Sequence, residues 1–190
     1  MTRRLTLIAP AATAAQRLGR LPADEPIELP TGARPPRIDG PQVAACFRAP
    51  ELQARQTAEW LGFEATTEAT LGNLDIGRWQ GHSLESLAGE DPDGLARWLR
   101  DPAAAPHGGE SIEQLCQRIA PWLTTLATGH TLMVTHSAVI RAFMLAAMEA
   151  PAHSYFGLDV APLTLTRLED STRWRVRCSG VALDSSVKGS

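Results

Sequence analysis

The residue best placed to do chemistry is His136. It follows the apolar run Leu132-Met133-Val134-Thr135 and precedes Ser137-Ala138-Val139-Ile140-Arg141, so an imidazole stands where a strand gives way to a helix. A neutral imidazole at such a point can attack a phosphoryl group, move a proton or hydrogen-bond an anion. Thr135 and Ser137 flank it as possible ligand contacts, and Ser137 is also suited to cap the helix, whose amino end favours negative charge. Arg48, Arg55 and Arg78 could grip phosphate oxygens through their guanidinium forks, although the ordinary reading of each is a solvated surface arginine. Asp75 could supply a proton. Gly108-Gly109-Glu110-Ser111 reads as a helix cap, with Glu110 beside the positive helix end, or as a ligand-contacting turn. His82, His107, His130 and His153 show no ligand spacing, and Cys46, Cys116 and Cys178 lie in apolar stretches as small hydrophobes. Neither a metal nor a cofactor is expected.

The elements that position these residues follow from apolar runs and punctuation. Arg4 to Ala9 predicts a buried strand stopped by Pro10; Val43 to Phe47 predicts a second and Thr131 to Thr135 a third. Between the first two, Pro22, Pro26, Pro30, Pro35 and Pro36 mark residues 22–41 as loop. Helices are predicted at Pro50 to Leu61, after Ser111 with a kink at Pro121, and at Ser137 to Met148, with short pieces at Ser83 to Ala88 and Gly94 to Leu99. Leu158 to Leu168 and Arg173 to Cys178 predict the last strands. Strands alternating with helices argue for an α/β, three-layer sandwich with a mainly parallel sheet, whose crevice lies beyond the carboxyl ends of the strands. Ala9-Pro10-Ala11 and Thr135-His136-Ser137 both fall at such ends, so two remote segments converge on one site.

Bulk properties narrow the classes. A chain of 190 residues with 44% hydrophobic and 21% charged residues predicts one folded domain, over residues 1–183, with a disordered tail at 184–190. A net charge of −3 gives no footprint for nucleic acid. No apolar run approaches the roughly 20 residues a membrane helix needs, and residues 5–15 are too short and too broken for a signal peptide. A cytoplasmic location is the expectation.

In order and spacing, several segments make the chain resemble the histidine phosphatase superfamily (phosphoglycerate-mutase-like). They are Leu5-Thr6-Leu7-Ile8-Ala9-Pro10-Ala11-Ala12-Thr13, Gln53-Ala54-Arg55-Gln56-Thr57-Ala58-Glu59, Leu71-Gly72-Asn73 with Gly77-Arg78-Trp79-Gln80-Gly81, Gly108-Gly109-Glu110-Ser111, and the His136 segment. The resemblance runs from about Thr6 to Arg177. It implies a first-strand Arg-His-Gly-Glu turn whose histidine becomes phosphohistidine, yet here that turn reads Ala9-Pro10-Ala11-Ala12. Proline offers neither a nucleophile nor a backbone N–H. The implied Ser-x-x-x-Arg-Ala grip reads Ala49 and Gln53 before Ala54, and Gln53 lacks the charged bidentate fork. The implied glutamate acid is Asn73, which cannot protonate a leaving group near neutral pH. His136 matches the second histidine, the one that hydrogen-bonds the transferring phosphoryl group, and Arg141 also fits the pattern.

The resemblance therefore implies a degenerate member, lacking the Arg-His-Gly motif and phosphoryl-transfer catalysis: a pseudo-phosphatase that binds a small phosphorylated molecule or a protein partner, with a homodimer as one arrangement. The alternatives are an active hydrolase with His136 as relocated nucleophile, or a structural, partner-binding protein with a filled crevice.

Overall fold

The apolar runs that lack any polar alternation are the strands covered on both faces. In the computed structural model, which describes residues 2–38 and 40–183, these are β1 (Arg3–Ile8) and β4 (Gly129–Val134); β2 (Ala45–Arg48), β3 (Thr66–Thr67), β5 (Thr164–Asp170) and β6 (Trp174–Ala182) are less covered, and β6 alternates half-buried Trp174, Val176 and Cys178 with exposed Arg175 and Arg177. They form one six-stranded sheet in the order β3-β2-β4-β1-β5-β6. β1 pairs parallel with β4, placing Thr6 opposite Leu132 and Ile8 opposite Val134, and β2 pairs parallel with both β4 and β3. β5 runs antiparallel to β1, and β6 antiparallel to β5. Leu5, Leu7, Ile8, Leu132, Met133 and Val134 are all at 0% exposure, as expected of parallel strands buried on both sides.

Helices lie on both faces: α1 (Ala14–Arg17), α2 (Leu52–Trp60), α3 (Leu84–Glu90), α4 (Pro92–Arg100), α5 (Ile112–Thr125) and α6 (Ser137–Met148). α2 packs on β2 and β4 through the small buried residues Ala54 and Ala58. α5 meets β2 where Trp122 stands edge-on to Phe47, and α6 packs on β5 and β6. Ser111 caps α5 in a reciprocal pair with Gln114, which supports the cap reading of the Gly108–Ser111 turn.

Several expectations are corrected. The strand predicted from Leu158 begins only at Thr164, because 152–157 is a 3-10 turn, Pro162 has no ladder N–H and Leu163 takes a φ of 51°. α3 and α4 are longer than predicted, Asp91 accepting from the Gly94 N–H at 3.0 Å to start α4. α5 is one continuous element with Pro121 inside it. The single turn α1 and the two-residue β3 are too short to leave a periodic signal. The predicted tail at 184–190 lies outside the described residues.

Candidate active site

β1 and β4 are neighbours and parallel, so their carboxyl ends deliver Ala9-Pro10 and Thr135-His136 to one place, as the sequence pattern requires. Ala9, Pro10, Gln53, Asn73, His136 and Ser137 line a single cleft there, closed by Gln16, Pro22, Val160 and Pro162. Its volume is about 20 Å³, room for about one water. No arginine or lysine lines it among the described residues.

The Pro10 turn is fixed through its backbone. The Ala9 N–H donates to the Thr164 carbonyl at 3.0 Å, the Leu163 N–H to the Pro10 carbonyl at 3.2 Å, and the Ala11 N–H to Thr57 Oγ1 at 3.0 Å. Proline at the turn's centre leaves no N–H orphaned, and Ala9 and Ala11 are buried at 2% and 0%.

His136 is 4% exposed and forms the N-cap of α6, so Ser137 is the first helical residue and does not cap the helix as expected. The imidazole Nε2 lies 2.8 Å from Glu51 Oε2, while Glu51 Oε1 accepts the Asn73 N–H at 2.8 Å. Burial works to raise the Glu51 carboxyl, but the hydrogen bond and charge of His136, with the Asn73 N–H, hold it net below its ordinary value. An ionised Glu51 assigns the proton to Nε2, which is therefore a donor and not a nucleophile. Sequence reasoning missed Glu51. Its signal was an acid just beyond β2, the strand that pairs with the His136 strand.

Asn73 is held in place by others. Its Oδ1 accepts from the Leu74 N–H at 2.9 Å. Arg118, also missed, spans the loop beneath it, bonding the Gly72 carbonyl at 3.1 Å and the Asn73 carbonyl at 3.4 Å. The same guanidinium grips Glu110 with two contacts of 2.8 Å, so Glu110 anchors Arg118 and does not serve the helix end. Thr135 is buried and donates to the Leu71 carbonyl at 2.7 Å, a structural contact.

The structure does not bring the proposed phosphate-gripping arginines into the cleft. Arg48 donates to the Ala49 carbonyl at 3.1 Å, Arg55 faces solvent beside Glu59 at 3.8 Å, and Arg78 joins Asp91 at 2.7 Å and the Pro106 carbonyl. Asp75 is exposed, with Oδ1 taken by the Gly77 N–H at 2.9 Å. Arg141 sits over the Tyr155 ring at 5.4 Å and 3.6 Å from Asp159.

The shape of the Gly77-Arg78-Trp79 loop has a local cause. A Cβ on Gly77 would meet the His107 carbonyl at 2.2 Å, and one on Gly109 the Asp75 carbonyl at 2.2 Å. The two loops thus touch backbone to backbone, and glycine alone permits it. Beneath them Trp79, Trp98 and His107 stand edge-on, and burial pushes the His107 imidazole below its ordinary value, against Asp75 and with Arg78. No cluster of metal-ligating side chains occurs among the described residues.

Comparison with known proteins agrees with this fold. The sequence is 27% identical over 133 residues to a bifunctional protein of Mycobacterium tuberculosis (strain ATCC 25618 / H37Rv), covering 65% of this chain but only 36% of that protein, so the chain spans about a third of its length. It is 25% identical over 126 residues to phosphoserine phosphatase 1 of Hydrogenobacter thermophilus, covering 63% of this chain and 60% of the relative. The fold matches the solved structure of mycobacterial glucosyl-3-phosphoglycerate phosphatase with a TM-score of 0.78 at 20% identity, over 96% of this chain and 100% of that one. The profile of the histidine phosphatase superfamily (branch 1) matches residues 35–180, well over half of the sequence. With the sheet order, the paired carboxyl ends and His136 already in place, the chain belongs to the histidine phosphatase superfamily.

Proposed function

We propose that this protein is a cytoplasmic pseudo-phosphatase: it keeps the histidine phosphatase fold, lacks phosphoryl transfer and works by binding. One observation carries the reading. His136, which lines a cleft of about 20 Å³ with Pro10 on its wall, is hydrogen-bonded at 2.8 Å to a carboxylate of the protein itself, Glu51. Where the family resemblance expects His136 to meet a phosphoryl oxygen, it meets Glu51. The neutral side chains of Ala9, Gln53 and Asn73 replace the groups that would hold and protonate a phosphate. The matched family profile begins at residue 35, beyond β1 and the Pro10 turn. Purified protein is expected to show background turnover on aryl phosphates and phosphoglycerates, no acid-labile phosphohistidine, and no tungstate density beside His136 in a soaked crystal. Hydrolysis that persists through further purification and disappears in His136→Ala would overturn the proposal.

A second reading rests on the same contact. A carboxylate that orients an imidazole is the arrangement of a general base, and the cleft has space for a single water. In that reading Glu51 and His136 would activate water on a small ester. Glu51→Gln would then abolish an esterase activity that the wild-type protein displays.

A further inference from the structure

A second concavity lies on the sheet, away from the cleft. It has a volume of about 350 Å³, within the range of small-molecule sites, and is lined by Arg4, Thr6, His130, Arg167, Glu169, Arg177 and neighbouring residues. Among the described residues three arginines and one glutamate line it, and two of the arginines, Arg4 and Arg177, share that glutamate. The ladder explains the clustering. Arg4 is the register partner of Glu169, and Thr6 that of Arg167, so these side chains project from one face. The pairing of β5 with β6 is irregular here, with Arg167 opposite Cys178 and Leu168 opposite Val176. Arg177 is thus an extra residue in a bulge. Bulges re-aim side chains, and Arg177 and Cys178, although consecutive, both line the groove.

The wall of the groove is rigid where it is buried. His130 is 6% exposed, its Nδ1 donating to the Pro41 carbonyl at 2.9 Å and its Nε2 2.9 Å from Thr6 Oγ1. The Gly40-Pro41 loop is thereby tied to β1 and β4 at the rim. Glu169 touches Arg4 Nε at 3.2 Å and Arg177 Nε at 3.5 Å, with 30% of its side chain exposed. Neither contact is the short bidentate fork that a guanidinium forms with a well-placed oxyanion. One planar carboxylate sits between two guanidiniums from different strands and fully engages neither. A tetrahedral phosphate spreads its oxygens in three dimensions and carries two charges.

From this arrangement we propose that the groove on β1, β5 and β6 is a binding site for a small organic phosphate, its phosphoryl oxygens held by Arg4 and Arg177 and its body against Pro41 and Cys178. Glu169 is the internal competitor that keeps the two guanidiniums in place when the site is empty. The site is independent of the cleft, since β1 carries Arg4 toward its amino end and Ala9 beyond its carboxyl end.

The test is calorimetry on the full chain at low salt, with inorganic pyrophosphate as the probe and citrate as a carboxylate control. Pyrophosphate is expected to bind at least tenfold more tightly than citrate, with amide shifts at Thr6, His130 and Arg177. The double variant Arg4→Gln with Arg177→Gln should weaken binding at least tenfold. The informative variant is Glu169→Gln, because removing the competing carboxylate should tighten binding several-fold, which a misfolded protein cannot do. No heat at millimolar pyrophosphate, citrate binding as well as pyrophosphate, Glu169→Gln leaving affinity unchanged or lowering it, or shifts confined to Thr135–Ser137 would each overturn the proposal.

Discussion

At its carboxyl end β1 delivers Ala9 and Pro10 into a cleft of about 20 Å³ that no arginine lines, among the described residues, while toward its amino end it delivers Arg4 into a groove of about 350 Å³ shared with Arg167 and Arg177. About five residues of strand, roughly 17 Å, separate the two. In both places a glutamate is bound internally, Glu51 by His136 and Glu169 by Arg4 and Arg177. The difference lies in commitment. Glu51 makes two contacts of 2.8 Å beside a cleft of about 20 Å³, whereas Glu169 makes two contacts beyond 3 Å in a groove of about 350 Å³. A crevice at the carboxyl ends of parallel strands is a property of the fold; affinity for phosphate is a property of the side chains placed there.

The largest expected effect comes from rebuilding the cleft. Pro10→His alone is expected to remain at background on an aryl phosphate, because charge developing on the phosphoryl oxygens would find no arginine. Ala9→Arg, Pro10→His, Ala11→Gly, Gln53→Arg and Asn73→Glu together should turn over at least ~10³-fold faster than the single variant, since these groups act on one transition state. Equal rates, read as released phenolate, would show that the other four positions were incidental.

Next in size is Arg118→Ala, which removes the strut under the Asn73 loop and leaves Glu110 unpaired. A loss of about 2 kcal/mol in urea unfolding is expected. A change below a few tenths would mean that the loop holds itself and the cleft is easier to open than its contacts imply.

Glu51→Gln should cost about 1 kcal/mol near neutral pH, since a charge-assisted bond becomes a neutral one. The folded Glu51 carboxyl lies below its ordinary value of 4.5. Its contribution is therefore fully present above that value and is lost as pH falls through the lower folded one. Wild type and variant should converge in unfolding midpoint on acidification. A gap that persists at low pH would assign the effect to packing.

Smallest of all is Arg55→Ala. That arginine is exposed and 3.8 Å from Glu59 one turn away, so stability should move by no more than about 0.5 kcal/mol. Pyrophosphate binding should not change either. A measurable loss of anion binding would place Arg55 at one of the two sites and break the contrast between them.

The fold was legible because its central strands β1 and β4 are apolar without alternation and its helices carry caps such as Ser111. Legible too was the meeting of Pro10 with His136, since parallel neighbours must end on the same side. What sequence could not supply was direction. Arg48, Arg55 and Arg78 are close to the site along the chain, but each side chain follows a nearer carbonyl or carboxylate. Glu51 and Arg118 went unnoticed because their roles depend on strand order and on a loop folding over α5, neither of which leaves a local pattern. The groove was invisible for a similar reason: Arg4, Arg167 and Arg177 become neighbours only through an antiparallel ladder and a bulge.

The two backbone hydrogen bonds that tie the Pro10 turn to the start of β5 just after Pro162, from Ala9 to Thr164 and from Leu163 to Pro10, set a clock for the cleft. A wall stitched to the sheet breathes only when the sheet does. The amide hydrogens of Ala9 and Leu163 should exchange with deuterium as slowly as those at the centre of β1, over minutes to hours and not the sub-second pace of a surface loop. Anything larger than water would then enter at a rate fixed by that opening, so its arrival would become independent of its own concentration once the ligand is in excess.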